Sequence, residues 1–106
     1  MKYLVIGKGG PGFANPEEAK KILTEIVLPN FNELIKLEKN KKILAGGLLV
    51  GDRAFVFIVE AGSNDEVDRM LRGLPMWGVL NWKVKPLQTF STRASIERAF
   101  MKGLKK

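Results

Sequence analysis

Two apolar runs that refuse to alternate constrain this chain more than any other feature. Tyr3-Leu4-Val5-Ile6 and Phe55-Val56-Phe57-Ile58-Val59 are apolar at every position. A strand with one face in water alternates with period two, so an unbroken run calls for cover on both faces and a central place in a sheet. Two further strands read differently. Ile43 to Val50 is interrupted by Gly46 and Gly47, which suits a bulge or close approach near an edge, and Gly51-Asp52-Arg53 turns it into the hairpin partner Ala54 to Glu60. From Leu80 onward the period is two, with Leu80, Trp82 and Val84 on one face and Asn81, Lys83 and Lys85 on the other. Pro86 then removes a ladder donor, which also fits an edge.

Helical signals separate these strands. Asn15-Pro16-Glu17-Glu18 supplies a cap, a proline at the first helical position and acids at the positive end of the dipole. Ala19, Ile22, Leu23, Ile26, Val27, Leu34 and Leu37 then share one arc, with Pro29 expected to kink or interrupt the helix. If helical phase survives Pro29, Asn30 and Glu33 enter that apolar arc, where polar groups need a partner or a cavity. If Pro29 resets the phase, both face solvent, which is the more ordinary outcome.

The second helix is announced by Ser63-x-x-Glu66, a capping-box spacing, with Val67, Met70 and Leu71 as its stripe. Gly73 is expected as a left-handed cap and Pro75 as a stop. A last helix, about residues 91–105, begins at Ser91 or Thr92. Its stripe is Ile96, Ala99, Phe100 and Leu104, and Lys102, Lys105 and Lys106 complement its negative end.

The order strand, helix, strand, strand, helix, strand is the split unit of α+β ferredoxin-like folds. In that topology the first and third strands of a four-stranded antiparallel sheet are central, as the apolar runs demand. We therefore expect residues 1–106 to form one domain. Both helices cover the same sheet face, so the other needs a second cover, and a partner subunit supplies it economically as a dimeric α+β barrel.

Composition removes several functions. The 106-residue chain has no cysteine, hence no disulfide or thiolate chemistry, and no histidine, hence no imidazole. Scattered carboxylates alone make no metal site. No apolar run approaches membrane-spanning length, and a soluble, cytoplasmic protein is expected. The formal charge of +7 raises the idea of a nucleic-acid partner, but the lysines are interspersed with core positions and the aromatics are not interleaved with them. Gly7-Lys8-Gly9-Gly10-Pro11-Gly12 satisfies a dinucleotide fingerprint literally. Pro11 removes a donor there, the helix starts several residues later, and the chain is too short for a dinucleotide-binding sheet, so no cofactor site is assigned. A flexible loop is the preferred reading, and a lid over a pocket stays open because glycines and the nearby Phe13 suit a loop that moves.

The series Ser63-Asn64-Asp65-Glu66, Gly73-Leu74-Pro75 and a strand ending Lys85-Pro86-Leu87 resembles the muconolactone isomerase family over about residues 54–87. The resemblance implies the dimeric barrel, higher assemblies of dimers, no cofactor, and movement of a proton within a lactone of an aromatic-degradation pathway. A small carboxylated lactone would then be steered by Lys8, Arg53 or Lys83.

What the residues themselves leave is acid–base work in a cavity. Glu33 or Glu60 is the candidate base, Lys8 or Tyr3 the acid, and Asn30 a donor to a developing enolate oxygen. Phe57, Trp77 and Trp82 are candidate walls, with Arg53 as a substrate contact. Three classes stay open: a cofactor-independent isomerase, with cofactor-free oxygenases of the same barrel as an enzyme alternative; a non-catalytic small-ligand or assembly protein; and a nucleic-acid binder.

Overall fold

Hydrogen bonding orders the four strands β2-β3-β1-β4, with every neighbouring pair antiparallel, in a computed structural model that describes residues 1–10 and 12–104. The strands are β1 (Lys2–Gly9), β2 (Ile43–Leu48), β3 (Ala54–Glu60) and β4 (Leu80–Leu87). The helices are α1 (Pro16–Ile22), α2 (Leu28–Lys39), α3 (Asn64–Arg72) and α4 (Phe90–Gly103). The two unbroken apolar runs are therefore central, and the glycine-broken and lysine-lined strands are the edges. Pro11, Lys105 and Lys106, invoked above for the loop and the last helix, lie outside the described residues.

Register explains the layering. Val5 sits opposite Phe57 on one side and Val84 on the other, while Tyr3 faces Val59 and Pro86. Tyr3, Val5, Phe55, Phe57 and Val59 point to the helical side and are buried with Val67, Leu71 and Leu74. The alternate residues Leu4, Ile6, Val56 and Ile58 form the centre of the opposite face and are half-buried. Gly7 lies in the inward row because nothing larger fits: a Cβ there would stand 2.7 Å from the Phe55 ring. The close approach expected at the glycines is found at Gly46, where a Cβ would stand 2.5 Å from Phe57 Cβ, while the break in register falls slightly earlier, between Ile43 and Ala45.

The first helical segment does not break at Pro29. A π-helical turn over Leu23–Val27 joins α1 to α2 without a break, Leu28 N–H bonding back to Leu23 C=O, and Pro29, which has no N–H to give, follows directly on that wide turn. The wide turn gives an outcome between the two expected. Asn30 is fully buried, while Glu33 stays partly exposed, 3.6 Å from Lys36.

Both remaining ends of these helices are capped from the sequence. Asn15 Oδ1 accepts from the Glu18 N–H at 2.8 Å, and Ser63 Oγ accepts from the Glu66 N–H at 3.2 Å. The reciprocal glutamates reach one residue further back than a standard box: Glu18 accepts from Ala14 N–H and Glu66 from Gly62 N–H. Gly73 stays right-handed, at φ −76°, because Leu74 N–H turns back to Leu71 C=O at 3.0 Å and closes the helix without a left-handed residue. Thr89, rather than Ser91 or Thr92, caps α4 by accepting from Thr92 N–H at 3.0 Å.

Helix α4 runs clear of the body. The molecule measures 69 × 28 × 21 Å with a radius of gyration of 18.2 Å, whereas a compact chain of this length has about 13 Å. Among the described residues no helix is long and apolar enough to cross a membrane.

Candidate functional site

Three hollows adjoin the helical side of the sheet. A trough of about 230 Å³ runs between α2 and β2, walled by Phe31, Leu34, Ile35, Leu48 and Phe57 with Glu38 at its rim. It shares Phe31, Leu48 and Phe55 with a second cleft, of about 180 Å³, at the end of the sheet where β1 finishes. A third groove, of about 360 Å³, lies on the far side, between α3 and β4.

The second cleft is where backbone and charge converge. Its described lining includes one carboxylate, Asp52, and one cation, Arg53, among apolar groups such as Phe13, Phe31 and Leu80. Asp52 Oδ1 accepts from the Arg53 N–H at 2.7 Å, a local turn that fixes the side chain where the hairpin ends. Arg53 C=O accepts from Gly9 N–H at 2.9 Å, which ties the hairpin to the glycine loop. Gly10 takes φ +116°, a left-handed backbone that favours glycine, and lies where a Cβ would touch Met76 and Leu80 at 3.4 and 3.5 Å. Gly10 thus packs against the wall of the cleft, whose lining also includes Phe13.

Met76 is held from behind. Its N–H donates to Asn30 Oδ1 at 3.1 Å in a fully buried contact, and Asn30 Nδ2 has no hydrogen-bond partner. A buried amide with one oxygen engaged has a fixed orientation and an unused donor.

The other candidates disperse. Tyr3 is buried at the opposite end of β1, its hydroxyl donating to Asn64 Oδ1 at 2.8 Å. Glu60 accepts from the N-terminal ammonium at 3.0 Å. Lys8 is exposed and shares the row of Leu4 and Ile6, the face away from the helices. Glu33, Glu60 and Lys8 line none of the three hollows. Phe57 walls the trough, and Trp77 and Trp82 wall the far groove, stacked with centroids 5.8 Å apart. Arg72 covers Trp77 at 5.0 Å, and Trp82 Nε1 donates to Trp77 C=O at 3.0 Å. Of the residues singled out from sequence, the structure gathers Tyr3, Trp77 and Trp82 in the far groove and places Arg53 at the cleft with Asn30 behind its wall.

Sequence reasoning passed over Asp52, Met76 and the direct role of Gly10. Asp52 was visible only as part of a turn, and its meeting with the loop needs the β1–β3 register. One shifted carboxylate stands elsewhere. Glu66 is held below its ordinary value first by the Gly62 N–H and then by Lys42, at 3.5 Å, and Arg69, against an opposing effect of burial. It serves the α3 cap. Among the described residues no group of three or more acidic side chains gathers as metal ligands.

Residues 17–93 match the family model of muconolactone delta-isomerase. Among solved structures, a muconolactone isomerase superposes with a TM-score of 0.68 at 16% identity, over 84% of this chain and 90% of that one. The 5-chloro-2-hydroxyhydroquinone dehydrochlorinase of Burkholderia phenoliruptrix AC1100, solved with 2,5-dihydroxybenzoquinone, superposes with a TM-score of 0.64 at 21% identity, over 87% and 98%. No curated protein sequence matches the chain.

Proposed function

This chain belongs to the muconolactone delta-isomerase family, and on that footing we propose that it is a cofactor-independent enzyme that moves a proton within a small oxygenated ring metabolite. The observation that carries the proposal is the cleft where Asp52 and Arg53 meet the Gly9-Gly10 loop over an apolar floor. In this reading Arg53 attracts an anionic substituent, such as the carboxylate of a lactone. Asp52 exchanges the proton beside the carbonyl, and the loop excludes water. A proton removed at one carbon returns at another, so the product is an isomer and no oxidant is required. The ring chemistry of the two structural relatives, a lactone isomerase and an enzyme solved with a dihydroxybenzoquinone, supports a substrate of this size. The reading does not use Glu33, Glu60, Lys8 or Tyr3.

The protein acts as a homodimer in this proposal. The row Leu4, Ile6, Val56 and Ile58 is a continuous apolar centre on a face that no helix of its own chain covers, and a two-fold copy buries it against itself.

The test is a thermal-shift screen of small carboxylated lactones and hydroxyquinones, followed by NMR in deuterium oxide. A hit should stabilise the protein saturably, and Arg53→Ala should weaken it about tenfold or more, the size of one charge-assisted hydrogen bond. Asp52→Asn should keep binding and abolish deuterium entry into the product. A second reading, a non-catalytic ligand carrier, draws on the nearly uncharged trough beneath α2, whose described lining has Glu38 as its one charge. Binding by wild type with no deuterium exchange would select that reading.

A further inference from the structure

We propose that the substrate of the cleft is a ring acid carrying an uncharged alkyl arm, and that the arm lies in the trough between α2 and β2. This rests on the cleft as the seat of the ring, proposed above, and narrows the class of substrate that the site takes.

The trough is made by one missing side chain. Along the helix-facing row of β2, Ile43 pairs with Val59, Gly46 with Phe57 and Leu48 with Phe55. Only a glycine therefore stands between Ile43 and Leu48 in that row. Nothing larger fits in its place, since a Cβ there would meet Phe57 Cβ at 2.5 Å. Opposite, α2 sets Phe31, Leu34, Ile35 and Glu38 on one face, at i, i+3, i+4 and i+7. The space they bound runs for about 10 Å, the rise of seven helical residues, and Ile35 and Leu48 are exposed at its lips.

Volume and continuity join the trough to the cleft. The two hold about 230 and 180 Å³, each short of the roughly 300 Å³ at which pockets for small organic ligands begin. They share Phe31, Leu48 and Phe55 as walls, and taken as one space they pass that size. A ring confined to the cleft would leave the trough side of those walls in water, whereas an arm directed past Leu48 covers it.

Charge sorts the two ends. The described lining of the cleft brings Asp52 and Arg53, which suit a polar ring, while that of the trough has Glu38 as its one charge. An ionised group carried into the trough would lose its hydration without gaining a partner, so the arm is apolar to its end. A peptide segment fits less well, because its backbone donors and acceptors would find apolar walls.

Calorimetric titration with paraconic acid, a five-membered lactone bearing one carboxylate, and with its ethyl, butyl and hexyl derivatives tests the arm. Affinity should rise about fourfold for each methylene that the trough takes in, the effect of moving one CH₂ out of water. A series that binds equally from the bare acid to the hexyl derivative would overturn the proposal. The hexyl derivative with a carboxylate at its free end should lose the gain, and a gain retained there would also overturn it. Ile35→Trp narrows the trough from its lip and should flatten the series, read as the ratio of hexyl to bare affinity; a steep series that survives the substitution puts the arm elsewhere. If the wild-type series is flat and Ile35→Trp sediments at lower mass than wild type, a second copy fills the trough and the arm is wrong. The two proposals fail separately. A steep series with no deuterium entering any member removes the isomerase and keeps the arm. Deuterium entering the bare acid, with a flat series, does the reverse, and if no member binds, both fall.

Discussion

Helix α3 lies on the sheet with Val67 and Leu71 each 2% exposed, a capping box at its start and Leu74 closing its end. The α1–α2 segment covers the other half with a different economy. Its one fully buried residue is a polar one, Asn30, it contains a π turn, and the two adjoining hollows open beneath it. The difference shows how one small sheet divides its work. One half is fastened by a buried apolar helix face, which fixes strand register, even though the largest of the three hollows described, about 360 Å³, lies between α3 and β4. The other is left incompletely packed beside the loop and hairpin that bring charge to a cavity, as ligand sites tend to be.

Truncation should expose that contrast most strongly. Leu71→Ala should lower stability by about 2–5 kcal/mol in urea unfolding, because the fastened half cannot collapse around the void. Ile35→Ala, at a residue 48% exposed above the trough, should change it by less than about 1 kcal/mol. Equal losses would break the comparison. Next in size is Asn30→Ala, which strands the buried Met76 N–H. We expect a loss of about 1–3 kcal/mol, together with weaker ligand binding at the cleft that Met76 lines.

Ser63→Ala removes the α3 cap and should destabilise by about 1 kcal/mol, with hydrogen exchange accelerated first in the opening turn of α3. The smallest effect concerns pH. Glu66 titrates below its ordinary 4.5 in the folded protein, so the stability it confers is fully present above that value. It is lost as pH falls through the lowered folded one. Glu66→Gln should therefore be less stable than wild type at neutral pH, and the two should converge in acid once pH has fallen through the lowered folded value; a difference that persists there would deny the carboxylate its part in the cap.

Much of the framework could be read from residue types alone. Unbroken apolar runs placed β1 and β3 at the centre, and Ser63 and Asn15 announced helix starts, because these signals act within a few residues. The candidate site was less legible. Whether Asn30 faced inward depended on one wide turn at Leu23–Val27, and no residue there forces an i→i+5 pattern. Asp52 and Arg53 were readable as a turn, but their place under Gly9 and Gly10 follows from pairing between strands about fifty residues apart, Lys8 opposite Ala54. Glu33 and Glu60 were attractive as carboxylates near apolar stretches. Lys36 stands three residues beyond Glu33 on one helix, an ordinary surface pairing, whereas the partner of Glu60, the N-terminal ammonium, reaches it through the pairing of β1 with β3.

The stacked indoles carry a consequence for anyone watching this protein in solution. Trp77 and Trp82 are the chain's only tryptophans and sit 5.8 Å apart, with Arg72 against one of them. Their emission and their coupled near-ultraviolet dichroism therefore form a single optical probe, and Phe55, edge-on to Trp82 at 5.7 Å, joins it to the wall of the cleft. A ligand entering beside Asp52 against Phe55 and Met76 should therefore register in the same signal without any added label.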